Sequence, residues 1–337
     1  MKVAVVTVAI IFSLLALLEA SLRLIGGFGN PLIYIPDRHC GYRLAPNQRV
    51  RRFGNRIEIN QYSMRNSATA SLPPPLTLRV LLLGDSVANG GWWTDQADTI
   101  SAILTQRLSH QEGGQAGEKG ERGKGDSQRI EPTSSPTTHF NVEVLNASAN
   151  SWGPRNQLGY LKEFGDFGAV AVVVLLNTDD LFTKVPCSSV VGRDRNYPNR
   201  KPFCAIVEIC YRYLLPEPAT TESAGQNQET GDIVGYNLEA IRQIHQLATQ
   251  ANRFFLLAMT PLLRELGSNG PRNYELIARN RLTKLTQTEQ ILYLDFLPIF
   301  NAVQQPVTLY RDSIHLSQRG NQLVSKTISQ AIANLRI

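Results

Sequence analysis

The side chains best suited to chemistry in this sequence are a serine and a histidine far apart in the chain. Ser86 closes the triplet Gly84-Asp85-Ser86, directly after the largely apolar run Leu78-Arg79-Val80-Leu81-Leu82-Leu83. His315 closes Asp312-Ser313-Ile314-His315, just ahead of a final helical pattern. A serine hydroxyl is a weak nucleophile and needs an adjacent base, and a histidine serves best when a third group orients it. On a turn, side chains at i and i+3 can meet. Asp312 can then hold the Nδ1–H of His315 and leave Nε2 free to take the proton of Ser86. His39, His110, His139 and His245 have no carboxylate so placed. Gly84 allows a sharp turn, and Ser86 falls where a helix begins, with unpaired N–H groups available to a developing oxyanion. Each fragment also has a plainer reading. A glycine-bearing strand-to-helix turn serves as a structural turn or a phosphate cradle. A loop aspartate and a helix-capping histidine need no catalytic role.

The surrounding pattern supplies elements that position such residues. After the Leu78–Leu83 strand, Ile100, Ile103, Leu104 and Leu108 share one helical face. Further strands are expected over Phe140–Leu145, Val170–Leu176, Phe254–Met259 and Ile291–Phe296. The second of these is continuous and β-branched, as a strand buried on both faces should be. Between and after them, Leu238, Ile241, Ile244 and Ala248 line one helix, Leu276, Ile277, Asn280 and Lys284 another, and Leu323, Val324, Ile328 and Ile332 a last one. Strands alternating with helices imply a parallel sheet covered on both faces. Polar clusters end the first strands, at Gly84-Asp85-Ser86, Asn146–Gly153 and Asn177-Thr178-Asp179-Asp180. That edge is where a doubly wound sheet places its ligand crevice.

The rest of the chain divides by composition. Residues 1–26 contain Val3–Leu18, apolar except for Thr7 and Ser13, and read as a signal or uncleaved membrane anchor. Glu19 and Arg23 can pair at i,i+4. A lone lysine before a short apolar run favours export, so the remaining chain is expected outside the cytoplasm. Residues 27–75 read as an irregular or β-hairpin appendage, with Arg56–Asn60 alternating as a strand and Pro73-Pro74-Pro75 closing the linker. Residues 76–337 form the main domain. Within it, 110–138 is a glycine-rich polar insertion expected to be disordered, and Ala219–Asp232 a second polar loop.

At 337 residues, 42% hydrophobic and 18% charged, the chain can build a full core. The net charge of +6 is scattered, without an aromatic-interleaved basic patch, which argues against nucleic-acid binding. The four cysteines form no C-x-x-C pair, so no zinc ribbon or dithiol redox site is supported. Cys187, Cys204 and Cys210 cluster; one disulfide among them suits an exported domain, and free thiols are the alternative.

Taken together, these motifs resemble the SGNH (GDSL) hydrolase family over roughly residues 76–335. Gly84-Asp85-Ser86 with Gly90 is similar to the family's first block, and Asp312-x-x-His315 with Leu316, Ser317 and Gly320 to its last. Asn146-Ala147-Ser148 looks like the second block and Asn177–Leu181 like the third. The resemblance implies a flavodoxin-like three-layer α/β/α fold and a serine esterase or acylhydrolase with Ser86, Asp312 and His315 as its triad. Its oxyanion hole falls on Ser86, Ser151 and Asp179, and neither metal nor cofactor is implied. Ser151 stands where the family has glycine and Asp179 where it has asparagine. An ionised aspartate donates no hydrogen bond, so the alternatives are a protonated Asp179 or donation by Asn150 or Asn177. The substrate implied for an exported member is an O-acyl ester on a glycan or lipid. O-acyl transfer at the same site, and an inactive glycan-binding or assembly protein, are the other readings.

Overall fold

The computed structural model describes residues 1–114, 141–215, 229–268 and 270–334. Most of the expected glycine-rich insertion, and residues 219–228 of the second polar loop, lie outside the described residues.

Five strands form the central sheet: β5 (Thr77–Gly84), β6 (Asn141–Ser148), β7 (Ala171–Asn177), β8 (Phe254–Thr260) and β9 (Leu292–Asp295). Four earlier strands pair as two hairpins, β1 (Tyr34–Asp37) with β2 (Gly41–Leu44), and β3 (Gln48–Arg52) with β4 (Asn55–Ile59). The sheet is parallel throughout, in the order β6-β5-β7-β8-β9. Renumbered from its own first strand this is 2-1-3-4-5, the flavodoxin-like order, whose switch point lies between its first and third strands.

Alternation along the strands divides the core into two layers. On one face Leu81, Leu83, Val172, Val174 and Leu257 pack against the helices Pro154–Phe164, Ile233–Gln250 and Asn273–Thr288. On the other, Val80, Leu82, Val173, Leu175 and Ala258 meet the helices Ile100–Gly114, Phe296–Asn301 and Gln318–Ala333. The three-layer α/β/α architecture is therefore present, with strand positions within a few residues of those expected.

The hairpins are not a loose annex. Tyr34, Tyr42, Leu44, Ile57, Ile59 and Met64 are buried in the same cluster as Leu81 and Trp152. Tyr42 O accepts from Trp152 Nε1 at 2.9 Å, and Tyr160 Oη donates to Tyr62 O at 2.7 Å. Arg65 is fully buried, and its guanidinium donates to the carbonyls of Asn89, Gly91 and Thr94, the loop that follows Ser86. Burial brings that guanidinium down to about 10, while the nearby Asp95 works to keep it charged. Residues 27–75 thus share the main core and brace the loop beside the serine.

The helix Lys2–Ser21 runs on into a wider turn at Leu22–Gly26. Over Lys2–Gly26 it is long and apolar enough to cross a membrane, and none of its most apolar stretch is covered by the protein. The expected Glu19–Arg23 pair is formed. All four cysteines are free thiols, with Cys40 buried.

Candidate active site

The parallel register aligns Gly84 with Ser148 on one side and Leu175 on the other. The carboxyl ends of three strands therefore converge, and the segments that follow them reach one edge. Gly84 is required by close packing: a Cβ there would lie 2.4 Å from that of Ala88. Asp85 then caps the short helix Ser86–Asn89, its Oδ1 accepting the Val87 N–H at 2.8 Å.

His315 arrives from the far end of the chain. Its loop is pinched by an antiparallel bridge between Tyr310 and Leu316 and by Arg311 N–H donating to His315 O at 2.9 Å. Asp312 Oδ1 accepts the N–H groups of Ile314 and His315 at 3.0 and 2.8 Å. His315 Nδ1 lies 2.8 Å from Asp312 Oδ2, and its Nε2 lies 2.9 Å from Ser86 Oγ. Carboxylate, imidazole and hydroxyl form one hydrogen-bonded chain. Partial burial works to raise the Asp312 carboxyl, yet the two N–H groups and the imidazole together hold it below its ordinary value.

Two buried carboxylates lie behind the serine. Asp85 Oδ2 accepts from Asn177 Nδ2 at 2.7 Å and faces Ser86 Oγ at 3.3 Å. Asp180 Oδ2 accepts the Asn177 N–H at 2.9 Å. Burial raises Asp85, against its bonds from Val87 and Asn177 and the pull of His315. Burial raises Asp180 well above its ordinary value, and the charge of Asp85 adds to the shift. The Ser86 hydroxyl is nearer to His315 Nε2 than to Asp85, which favours the base as its acceptor.

Ser86 and His315 open on a cleft of about 280 Å³ that Asn150, Ser151, Trp93 and Tyr197 also line. Ser151 takes a φ of 58°, the left-handed region that favours glycine. Its Oγ accepts from Tyr197 Oη at 2.8 Å. Neither the Ser86 nor the Ser151 N–H has an acceptor among the described residues. Asn150 Oδ1 is buried without a partner among them.

Asp179 is exposed and is not among the residues lining the cleft. Its backbone N–H donates to Asn177 Oδ1 at 2.8 Å, and Arg264, Glu275 and Arg272 dominate the charges its carboxylate feels. What burial it has raises that carboxyl, against the pull of Arg264. Asn177 is spent on Asp85 and the Asp179 N–H, and the side-chain amides that line the cleft are those of Asn30, Asn150 and Asn196.

Sequence reasoning missed the aromatic wall. Trp93 packs against the His315 ring at a tilt of 57° with centroids 4.4 Å apart, and the Arg311 guanidinium lies over Trp93 and Trp92 at 4.8 and 5.2 Å. The Gly90-Gly91-Trp92-Trp93 run was its signal. Both glycines have positive φ, and a Cβ on Gly91 would strike the Trp93 ring at 2.4 Å.

No protein-family model matches the chain, and no curated protein matches its sequence. Solved structures do resemble it, and among them are GDSL lipolytic proteins, acylhydrolases and an acetylxylan esterase. A member of the lipolytic G-D-S-L family from Veillonella parvula shares 13% identity at a TM-score of 0.42, over 76% of this chain and 99% of that one. A lipase/acylhydrolase from Enterococcus faecalis shares 11% at 0.42, over 76% and 95%. A catalytic mutant of an acetylxylan esterase from Geobacillus stearothermophilus shares 14% at 0.45, over 76% and 94%.

Proposed function

We propose that this protein is a serine esterase of the SGNH type that cleaves O-acyl esters through an acyl-Ser86 intermediate. The observation that carries the reading is the chain of hydrogen bonds from Asp312 through His315 to Ser86, at 2.8 and 2.9 Å. Ser86 Oγ attacks the acyl carbonyl while His315 Nε2 takes its proton. The oxyanion forms beside the Ser86 and Ser151 N–H groups. Asp312 keeps the proton of the resting ring on Nδ1 and stabilises the imidazolium. The alkoxide of the substrate leaves with the proton from Nε2. Water then attacks the acyl-enzyme, gives its proton to His315, and the returning proton frees Ser86.

Asp85 and Asp180 add a polar floor beneath the reacting serine. The helix Lys2–Gly26 anchors the domain in a membrane, with the cleft on the extracytoplasmic side. The substrate class is an O-acyl group carried on a glycan or a lipid.

Labelling with a fluorophosphonate probe tests the site without knowledge of the substrate. Wild-type protein is labelled at Ser86; Ser86→Ala is not labelled at all. His315→Ala slows both labelling and p-nitrophenyl acetate hydrolysis by roughly 10²–10⁴-fold, the usual weight of a general base. Undiminished hydrolysis by Ser86→Ala refutes the reading.

A further inference from the structure

An apolar stripe lies on the outer side of residues 203–215. The helix Ala205–Ile209 continues there as wider turns over Cys210–Leu214. Phe203, just ahead of the helix, and Val207, Tyr211 and Leu214, at helical spacing along it, are 94%, 47%, 41% and 71% exposed. Leu215 next to them is also exposed. On the inner side Ala205 and Glu208 are buried. A helix at a water-facing surface carries the opposite pattern, with its apolar residues turned to the core. A contiguous exposed apolar patch of this kind marks an interaction site.

The position of the stripe identifies its partner. Glu19, near the end of the apolar helix Lys2–Ser21, accepts the N–H groups of Ala205 and Ile206 at 2.8 and 3.0 Å. The stripe therefore starts where the candidate membrane helix leaves off, and Leu24 and Ile25 extend the exposed apolar surface between them. Arg200 and Lys201 are exposed just before it. Tyr211 and Tyr213 stand within it. Tyrosines and cations beside an apolar face are the composition of a segment seated at a bilayer interface.

The same segment forms part of the catalytic cleft. Arg212 and Tyr213 line the cleft that holds Ser86 and His315. Phe28 bridges the region, edge-on to Tyr213 at 6.3 Å and to Phe53, another lining residue, at 5.5 Å.

We propose that residues 203–215 lie in the headgroup layer of the bilayer that holds the Lys2–Gly26 helix, and that the cleft takes its ester from that layer. The substrate is then an amphiphile whose ester lies at headgroup depth. A cleft of about 280 Å³ holds the ester and its immediate substituents, while the rest of the amphiphile stays in the membrane. Docking stands independently of catalysis; loading from the bilayer rests on the esterase reading.

The test uses the full chain reconstituted in vesicles of phosphatidylethanolamine and phosphatidylglycerol. A benzophenone amino acid replaces Phe203, Val207 or Leu214 in turn, and Lys326 on the final helix as the control. Irradiation is expected to attach phospholipid at the first three positions at least about fivefold more than at Lys326, since apolar side chains partition into the bilayer. This arm needs no turnover. Crosslinks to a second copy of the chain, or lipid labelling no higher than at Lys326, overturn the docking proposal. The second arm compares a long-chain acyl lipid in the same vesicles with soluble p-nitrophenyl acetate. The triple variant Phe203→Ser, Val207→Ser, Leu214→Ser is expected to lose roughly tenfold on the lipid ester, as three buried apolar side chains are forfeited. Its rate on the soluble ester should change less than about twofold, because none of the three lines the cleft. Equal losses on both esters overturn loading from the bilayer. Wild-type inactivity on both esters would instead refute the esterase reading and, with it, the loading step.

Discussion

Replacing Asp312 by asparagine isolates what the carboxylate does from what its shape does. Asp312 Oδ1 holds the Ile314 and His315 N–H groups at 3.0 and 2.8 Å, and an asparagine oxygen can keep both. The loop should therefore survive. What changes is the atom facing His315 Nδ1, where Oδ2 now lies at 2.8 Å. An amide NH₂ placed there donates, which forces the ring proton onto Nε2 and removes the lone pair that accepts from Ser86. In serine proteases with a buried aspartate the same change lowers kcat by about 10⁴-fold. Here the Asp312 side chain is 42% exposed, so water can satisfy Nδ1–H in part. The expected loss is correspondingly smaller, about 10²–10³-fold or ~3–4 kcal/mol in the barrier. Asp312→Ala should be less damaging than Asp312→Asn, because it imposes no wrong tautomer. The assay is kcat/KM for p-nitrophenyl acetate as a function of pH, with melting temperature as the control for folding. The native carboxyl sits below its ordinary value and is ionised above about pH 5, so the deficit is read between the plateaus of the two profiles above that pH. Asp312→Asn within threefold of wild type would show that His315 works without its orienting partner.

The other expected outcomes concern the oxyanion, the buried carboxylates and the hairpins. Asp179→Asn should change turnover by less than about threefold, whereas Asn150→Ala should cost roughly 10²-fold in kcat if its amide serves the oxyanion; steady-state kinetics of the pair separates the two positions, and a large gain in Asp179→Asn would return that residue to the oxyanion. Asp180→Asn should flatten the fall in melting temperature as pH rises above the ordinary carboxylate range. Its folded carboxyl titrates above its unfolded one, so the folded state holds the extra proton and loses stability as pH rises between the two values; an unchanged slope refutes this. A chain beginning at Gly27 should fold and keep its esterase activity, while one beginning at Leu76 should not fold. The second loses eight buried side chains from the main core, each worth ~1.5–3 kcal/mol, which rivals the entire stability of a domain at ~5–15 kcal/mol; circular dichroism of the two truncated chains decides it.

Much of this was legible because its signals are local. Strands β5 and β7 are buried on both faces, so they read as apolar runs ending at glycine or asparagine. Asp312 and His315 are three residues apart on a turn, where neighbours in sequence are neighbours in space. The third polar cluster was harder. Thr178–Phe182 is a 3₁₀ turn in which i and i+3 share a side, so Asn177 and Asp180 face inward together. Asp179 is carried off that side, towards Arg264 and Arg272. A motif places residue types in order along the chain; the helical pitch then decides which of them meets the substrate.

Residues 27–75 pose the opposite difficulty. Their strands are four or five residues long and two carry exposed arginines, which is how a surface appendage reads. What joins them to the domain is distant in sequence: Tyr42 to Trp152, Tyr62 to Tyr160, and Arg65 to the carbonyls of Asn89, Gly91 and Thr94. No periodicity announces such pairs. Arg65 in particular looks like any surface cation until its burial is seen. A buried guanidinium is tolerated only when its donors are used, and here they hold in place the loop that lays Trp93 against His315. The hairpins therefore bear on the Ser86–His315 site through position, not chemistry. His315 is steadied by Asp312 on one side and, through Arg65 and Trp93, by residues 27–75 on the other.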